Sequence, residues 1–328
     1  MAMAMVMADV AYVSARSTLL VKKKKKNRKI SVFNFRHIIG LIIPNLRIHS
    51  KTPYAIPPGR VVFGNNFGLR AGGSRFNFLT TSVKASMFPQ NPMLNDICAA
   101  AIAGAVALSL LQFWGEIAKR RILKDQKLIR KIVHINIGLV FMLLWPLFSY
   151  ECQAAVLAAL VPGVNIIRML VLGLGILKDE AMVKSMSRSG DYRELLKGPL
   201  YYASTITLAS VVYWRTSPIA IAAICNLCAG DGVADIVGRR FGSKKLPHNR
   251  NKSYAGSIAM AAAGFLASVG YMHYFSQFGF IEESPGLVLG FLIVSLVAAL
   301  VESLPISTEL DDNLTVPLTS ILVGSLVF

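Results

Sequence analysis

Asp231 and Asp235 stand four residues apart in the run GDGVADIVGRRFGSKKLPHNRNKSYAGS, residues 230–257. On a helix that spacing puts both carboxylates on one face, and Arg239 continues the same face. Paired carboxylates suit Mg²⁺, a hard ion that takes oxygen ligands and keeps several waters to share with phosphates. Gly230, Gly232, Gly238 and Gly242 let the backbone approach a ligand closely. Lys244, Lys245, Arg250 and Lys252 can answer phosphate charge. Ser253 to Gly256 opens the next apolar segment, and helix N-termini attract anions. The stretch therefore reads as a metal–nucleotide site. A plain basic loop is the competing reading, yet it does not explain two aspartates inside an apolar segment. The glycines also fit helix packing. There is no GxxxxGK[ST] loop, so a soluble P-loop kinase is not implied.

Other polar residues fall at the ends of apolar runs. RKIVHINIG places Arg130 and His134 at i and i+4, with Lys131 beside them. Glu302 follows fifteen apolar or small residues. Asp311, Asp312 and Asn313 precede the final apolar run, where a helix N-cap is the alternative reading. Arg168 lies inside an apolar run and needs a partner. Cys225 and Cys228 form a CxxC without a second pair or a nearby histidine. A zinc site takes about four ligands, so packing is the better reading.

These residues need a scaffold, and the composition supplies one. The chain has 328 residues, 54% of them hydrophobic and only 16% charged, with a mean hydropathy of +0.53. That is an all-α polytopic membrane protein with about seven or eight transmembrane helices. Apolar segments run near 97–115, 132–149, 153–177, 199–214, 217–237, 255–275, 286–304 and 314–328. The third contains Pro162, Gly163 and Asn165 and is expected to be broken or re-entrant; the last is short. With eight spans, eighteen of the twenty Lys and Arg residues after residue 85 fall in loops on one side. That is the positive-inside pattern. Arg215 is the lone basic loop residue on the other side, and its removal is expected to matter little.

The net charge of +18 is uneven. Residues 1–85 hold fifteen Lys and Arg and a single acid, Asp9. This excess does not point to nucleic-acid binding by the main domain. Acid-poor, Arg- and Ser-rich N-termini read as organellar transit peptides, and Val83-Lys84-Ala85 is similar to the end of a chloroplast one. The expected organisation is a transit peptide over 1–85 and an integral membrane domain over 86–328. The basic loops would then face the stroma.

The run from Gly230 to Met260 resembles the signature of chloroplast phytol kinases and their farnesol kinase relatives, within the polyprenol and dolichol kinase family. RKIVHINIG, VPGVNIIRML, RELLKGPLYY and VESLPISTELDDNLTVP extend the likeness over most of 95–328. The same pattern is also similar to CTP-dependent phosphatidate cytidylyltransferases. The resemblance implies a multi-pass chloroplast membrane enzyme that uses CTP or UTP and a divalent cation. Its expected reaction phosphorylates phytol, or farnesol or geranylgeraniol, with phytyl phosphate feeding tocopherol synthesis. A lipid cytidylyltransferase and a non-enzymatic transporter remain the alternatives. In this reading Asp231, Asp235 and Asp312 hold Mg²⁺. Gly230, Gly238, Arg239, Gly242, Lys244, Lys252, Ser253 and Gly256 bind the nucleotide. Asp235 or Glu302 accepts the alcohol proton. Arg130, Lys131, His134, Arg168, Asp311 and Asn313 are further candidates.

Overall fold

The computed structural model describes residue 88 and residues 90–328, apart from Lys124, Arg188 and residues 306–310. The expected transit peptide over 1–85 lies outside the described residues. Among the described residues, eight helices of fifteen residues or more stand where the eight apolar segments were expected. They are α1 (Pro92–Lys119), α2 (Gln126–Leu143), α3 (Gln153–Gly173), α5 (Gly198–Val212), α6 (Pro218–Phe241), α7 (Tyr254–Ser276), α8 (Pro285–Ser303) and α9 (Asp312–Val327). A short α4 (Glu180–Met186), which hydropathy did not suggest, lies between α3 and α5. Among the described residues six helices, counting α2 through Leu147, are long and apolar enough to cross a membrane; α5 and α9 have only 15 and 16 residues.

Local sequence explains where several helices begin. Asn91, Asp125, Ser217, Ser253, Ser284 and Asp311 each cap an orphan amide of the helix that follows. Proline occupies the first turn of α1, α6 and α8, where its missing N–H costs nothing. The expected break in the third span is absent: α3 runs unbroken through Pro162. Membrane helices tolerate such a proline because neighbouring groups re-satisfy the freed carbonyl.

The outer helices turn Val164, Ile167, Leu208, Ile258, Leu266, Leu296 and Leu322 outward. So broad an exposed apolar belt fits lipid and would be an aggregation hazard in water. The core packs around α6, whose apolar window is 78% buried against 17% for α1. Ile221, Ile224 and Leu227 of α6 meet Phe141, Trp145, Phe275 and Phe291 there. Small residues let α6 and α7 approach closely. A methyl group added at Gly264 would overlap the side-chain oxygen of Asn226. Gly264→Ala should therefore lower stability by about 1–3 kcal/mol, the usual cost of overpacking. Thermal unfolding in detergent checks this, and an unchanged midpoint would contradict the close crossing.

α6 is not a uniform helix. Residues Asn226–Gly230 form a π turn, and the Asp231 amide bonds to the Asn226 carbonyl five residues back. Such an inserted residue rotates everything after it, and π turns recur at functional sites.

The loops gather at two ends. At the basic end Arg239 meets Asp125, and Gln126 donates to the Lys184 carbonyl. At the other end Tyr150 donates to the Phe278 carbonyl. Arg215 is buried there, correcting the expectation of an inconsequential surface charge. Its guanidinium donates to the carbonyls of Trp145 at 2.7 Å and Phe148 at 2.9 Å, and to that of Ser149. It also lies 4.0 Å from the Phe280 ring centroid. Burial draws its pKa down to about 10, against the opposing pull of Tyr150 and Asp96. Trp214 adopts a left-handed φ of 50° just before it. In a bilayer, single cysteines at positions 184 and 245 should label from one side and a cysteine at position 283 from the other. Cys98 and Cys152 would first be changed to Ser. Labelling of positions 245 and 283 from the same side would refute the eight-helix threading.

Candidate active site

Asp231, Glu302 and Asp312 converge at the basic end. Each offers a carboxylate oxygen, and the three oxygens lie within 4.8 Å of one another. Asp231 follows the π turn of α6, Glu302 is in the last turn of α8, and Asp312 is in the first turn of α9. Two lysines face the three carboxylates. Lys131 Nζ lies 2.7 Å from Asp231 Oδ2. Lys252 Nζ lies 2.9 Å from Asp312 Oδ2 and also contacts Glu302. Burial works against the Lys252 ammonium, but the Asp312 and Glu302 charges overcome it and raise its pKa above that of a free lysine. Hard oxygens with a residual negative charge are the donor set Mg²⁺ prefers. Asp312 Oδ1 is buried without a hydrogen-bond partner, so one acceptor is left over for a ligand.

The cluster lies in the wall of a cavity of about 700 Å³. This is the size range of small-molecule sites, roughly 300–1,000 Å³. Lys127, Arg130, Lys131, Arg239, Lys245 and Lys252 line it. A small loop fold brings Lys252 there. Lys245 bridges to Ser253, and the Leu246 amide bonds to the Lys252 carbonyl. Asn249 Nδ2 donates to the carbonyls of Ser303 and Leu304 at 3.2 and 3.3 Å, tying the loop to the end of α8. His248 adds a contact to Ser303 Oγ at 3.2 Å.

The sequence candidates divide. Asp235 lines the cavity but stands apart from the three-carboxylate cluster. It pairs with Arg239 at 2.8 Å, and Arg239 also reaches Asp125 at 3.5 Å. Glu302 takes the place in the cluster that spacing gave to Asp235. Gly238, Gly242, Ser253 and Gly256 line the cavity where α6 and α7 cross. A methyl at Gly256 would press on the Ala234 carbonyl, so packing also needs that glycine. The Ser253 hydroxyl accepts from the Gly256 amide as the cap of α7. Gly230 faces Met260 and is absent from the lining; Lys244 is exposed, and Lys245 lines the cavity instead.

His134 lies 3.5 Å from Asp231 and donates through Nε2 to the Leu227 carbonyl at 2.7 Å. Arg168 is remote from the cluster and half-exposed, 3.4 Å from Asp179. Asp311 caps α9, accepting from the Asn313 amide and side chain at 2.9 and 2.6 Å. Sequence reasoning missed Lys127, Asn249 and His248. The i, i+3, i+4, i+7 spacing of Lys127, Arg130, Lys131 and His134 could have revealed the first.

Fold and site together define a multi-pass helical membrane protein with an acidic cluster inside a basic cavity at one end. The chain is 71% identical over 244 residues to a Glycine max protein named "Probable phytol kinase 3, chloroplastic", covering 74% of this chain and 76% of that one. It is 66% identical over 248 residues to "Farnesol kinase, chloroplastic" of Arabidopsis thaliana, covering 76% and 80%. It is 43% identical over 250 residues to "Phytol kinase 1, chloroplastic" of the same plant, covering 75% and 81%. The chain belongs to this family of chloroplastic phytol and farnesol kinases and is a multi-pass chloroplast membrane protein. No family model and no solved structure matches it.

Proposed function

We propose that this protein is an isoprenoid-alcohol kinase, moving the γ-phosphate of CTP or UTP onto phytol or farnesol. The observation that carries the reading is the carboxylate cluster of Asp231, Glu302 and Asp312 in the wall of a basic cavity. Phosphoryl transfer needs positioning and charge neutralisation more than covalent chemistry. The cavity supplies both. Lys127, Arg130, Lys245 and Arg239 face where a triphosphate would lie, with Asp235 orienting Arg239. Lys131 and Lys252 line the cavity beside the carboxylates they pair with and can turn to phosphate oxygens. A bound Mg²⁺ held by Asp231, Glu302 and Asp312 would neutralise charge on the bridging phosphate oxygens. The isoprenoid tail stays in lipid while its hydroxyl meets the aqueous triphosphate.

The acceptor is a phytol- or farnesol-like alcohol. The relatives support both alcohols: two proteins named probable phytol kinases are 71% identical to the chain, and the Arabidopsis farnesol kinase is 66% identical. With phytol as acceptor, the product would feed tocopherol synthesis. Purified protein supplied with γ-labelled or α-labelled CTP and either alcohol tests the reading. Label should reach the lipid from the γ-phosphate alone. Label from the α-phosphate would indicate cytidylyl transfer, and no transfer from CTP or UTP would overturn the proposal.

A further inference from the structure

A second cavity, of about 50 Å³, adjoins the first at Arg130. Leu111, Val133, Ile137 and Pro199 give it apolar walls, while His134 and Asn165 bring polar atoms into it. Arg130 lines both cavities. His134 joins them: its ring lines the small cavity, 4.4 Å from the Tyr202 ring, and its Nε2 is 3.5 Å from Asp231 in the large one. An asparagine in a membrane helix is expensive unless it serves a site. The Asn165 side chain has no hydrogen bond to any described residue.

The π turn sets the state of His134. In an unbroken α-helix the Leu227 carbonyl would take the Asp231 amide. Here that amide goes to Asn226, and the Leu227 carbonyl takes the His134 Nε2–H. A carbonyl only accepts, so Nε2 carries the proton. In the neutral ring Nδ1 is then the acceptor. No described residue hydrogen-bonds to Nδ1.

We propose that the small cavity receives the hydroxyl end of the isoprenoid alcohol, with Asn165 holding its oxygen and His134 Nδ1 taking its proton. This rests on the kinase reading above and moves the proton acceptor away from Asp235 and Glu302, which ion pairs already engage. The volume admits a hydroxymethyl group and its nearest carbons, since one water needs roughly 10–15 Å³ on the same measure. The rest of the chain leaves along the lipid-facing side, where Val164 and Ile167 flank Asn165. In the reaction the O–H bond breaks and its proton passes to Nδ1. The alcohol oxygen bonds to the γ-phosphorus. The bond from that phosphorus to the bridging oxygen breaks, and the nucleoside diphosphate departs.

A farnesol analogue carrying a diazirine near the hydroxyl tests the site without requiring turnover. Irradiation of the full-length protein should label α2 and α5 near Val133, Ile137 and Pro199, with competition by unlabelled farnesol. Ile137→Trp should remove that label and raise the alcohol KM about tenfold while leaving the nucleotide KM unchanged. His134→Asn should lower kcat on the order of a hundredfold or more. Competed label here in a protein that transfers no phosphate sinks the kinase reading and leaves the alcohol site standing. Competed label on α7 or α8, or a kcat unchanged in His134→Asn, overturns the inference.

Discussion

Asp231→Asn should cut phosphoryl transfer on the order of a hundredfold or more, and Asp235→Asn far less. The two residues share a helix face but not an environment. Asp231 is 3% exposed, touches Lys131 and completes the oxygen cluster with Glu302 and Asp312. Removing one carboxylate from a metal clamp takes away charge stabilisation worth several kcal/mol of barrier. Asp235 acts through Arg239, a cavity-lining cation that keeps its charge in the variant. The measurement is kcat at saturating Mg²⁺, normalised to membrane-inserted protein. Equal losses in the two variants would return the metal to the pair that the spacing alone suggested. Near-normal turnover in Asp231→Asn would remove the cluster from the mechanism.

Arg215→Ala should destabilise the fold by about 3 kcal/mol, while turnover per folded molecule stays near that of the unmodified protein. Three carbonyls lose a charged donor, and hydrogen bonds to charged groups contribute roughly 1.5–3 kcal/mol each before relaxation. The lost contact with the Phe280 ring adds to this. Arg215→Lys should recover only part of the loss, because one ammonium cannot reproduce the planar fork that serves three acceptors. Thermal unfolding in detergent decides it. A midpoint unchanged in Arg215→Ala would mean that this end of the bundle holds together without the clamp.

The long helices were legible because lipid imposes a hydropathy length that few other environments demand. The cap before the last helix was visible too, and Asp311 supplies it. What the sequence hid depends on contacts made across the fold. Asp231 and Asp235 look equivalent at i and i+4, yet only Asp231 meets the ends of α8 and α9. Glu302 and Asp312 carried a signal as acids beside apolar runs, but their convergence comes from the packing of α8 and α9. No local pattern announces that Asn249 ties the Lys252 loop to Ser303. The π turn is invisible to periodicity, since it inserts one residue into a helix apolar on nearly every side. Arg215 was misread for a related reason. A loop arginine counts as surface charge until three main-chain carbonyls are found around it.

α5 and α9 rise only ~22–24 Å at 1.5 Å per residue, against a hydrocarbon core of ~30 Å. They are in contact, with Thr205 Oγ1 donating to the Asn313 carbonyl at 3.2 Å. A mismatched pair of this kind pinches the surrounding leaflet instead of stretching to meet it. Pro199 and Tyr202 of α5 and Asn313 of α9 border the small cavity, so the pinch falls beside it. In the proposed kinase, headgroups and water would dip toward the protein at that point, and an alcohol anchored in the surrounding lipid would have a shorter climb to the aqueous phosphates. Bilayer thickness would then be part of how the proposed site is reached.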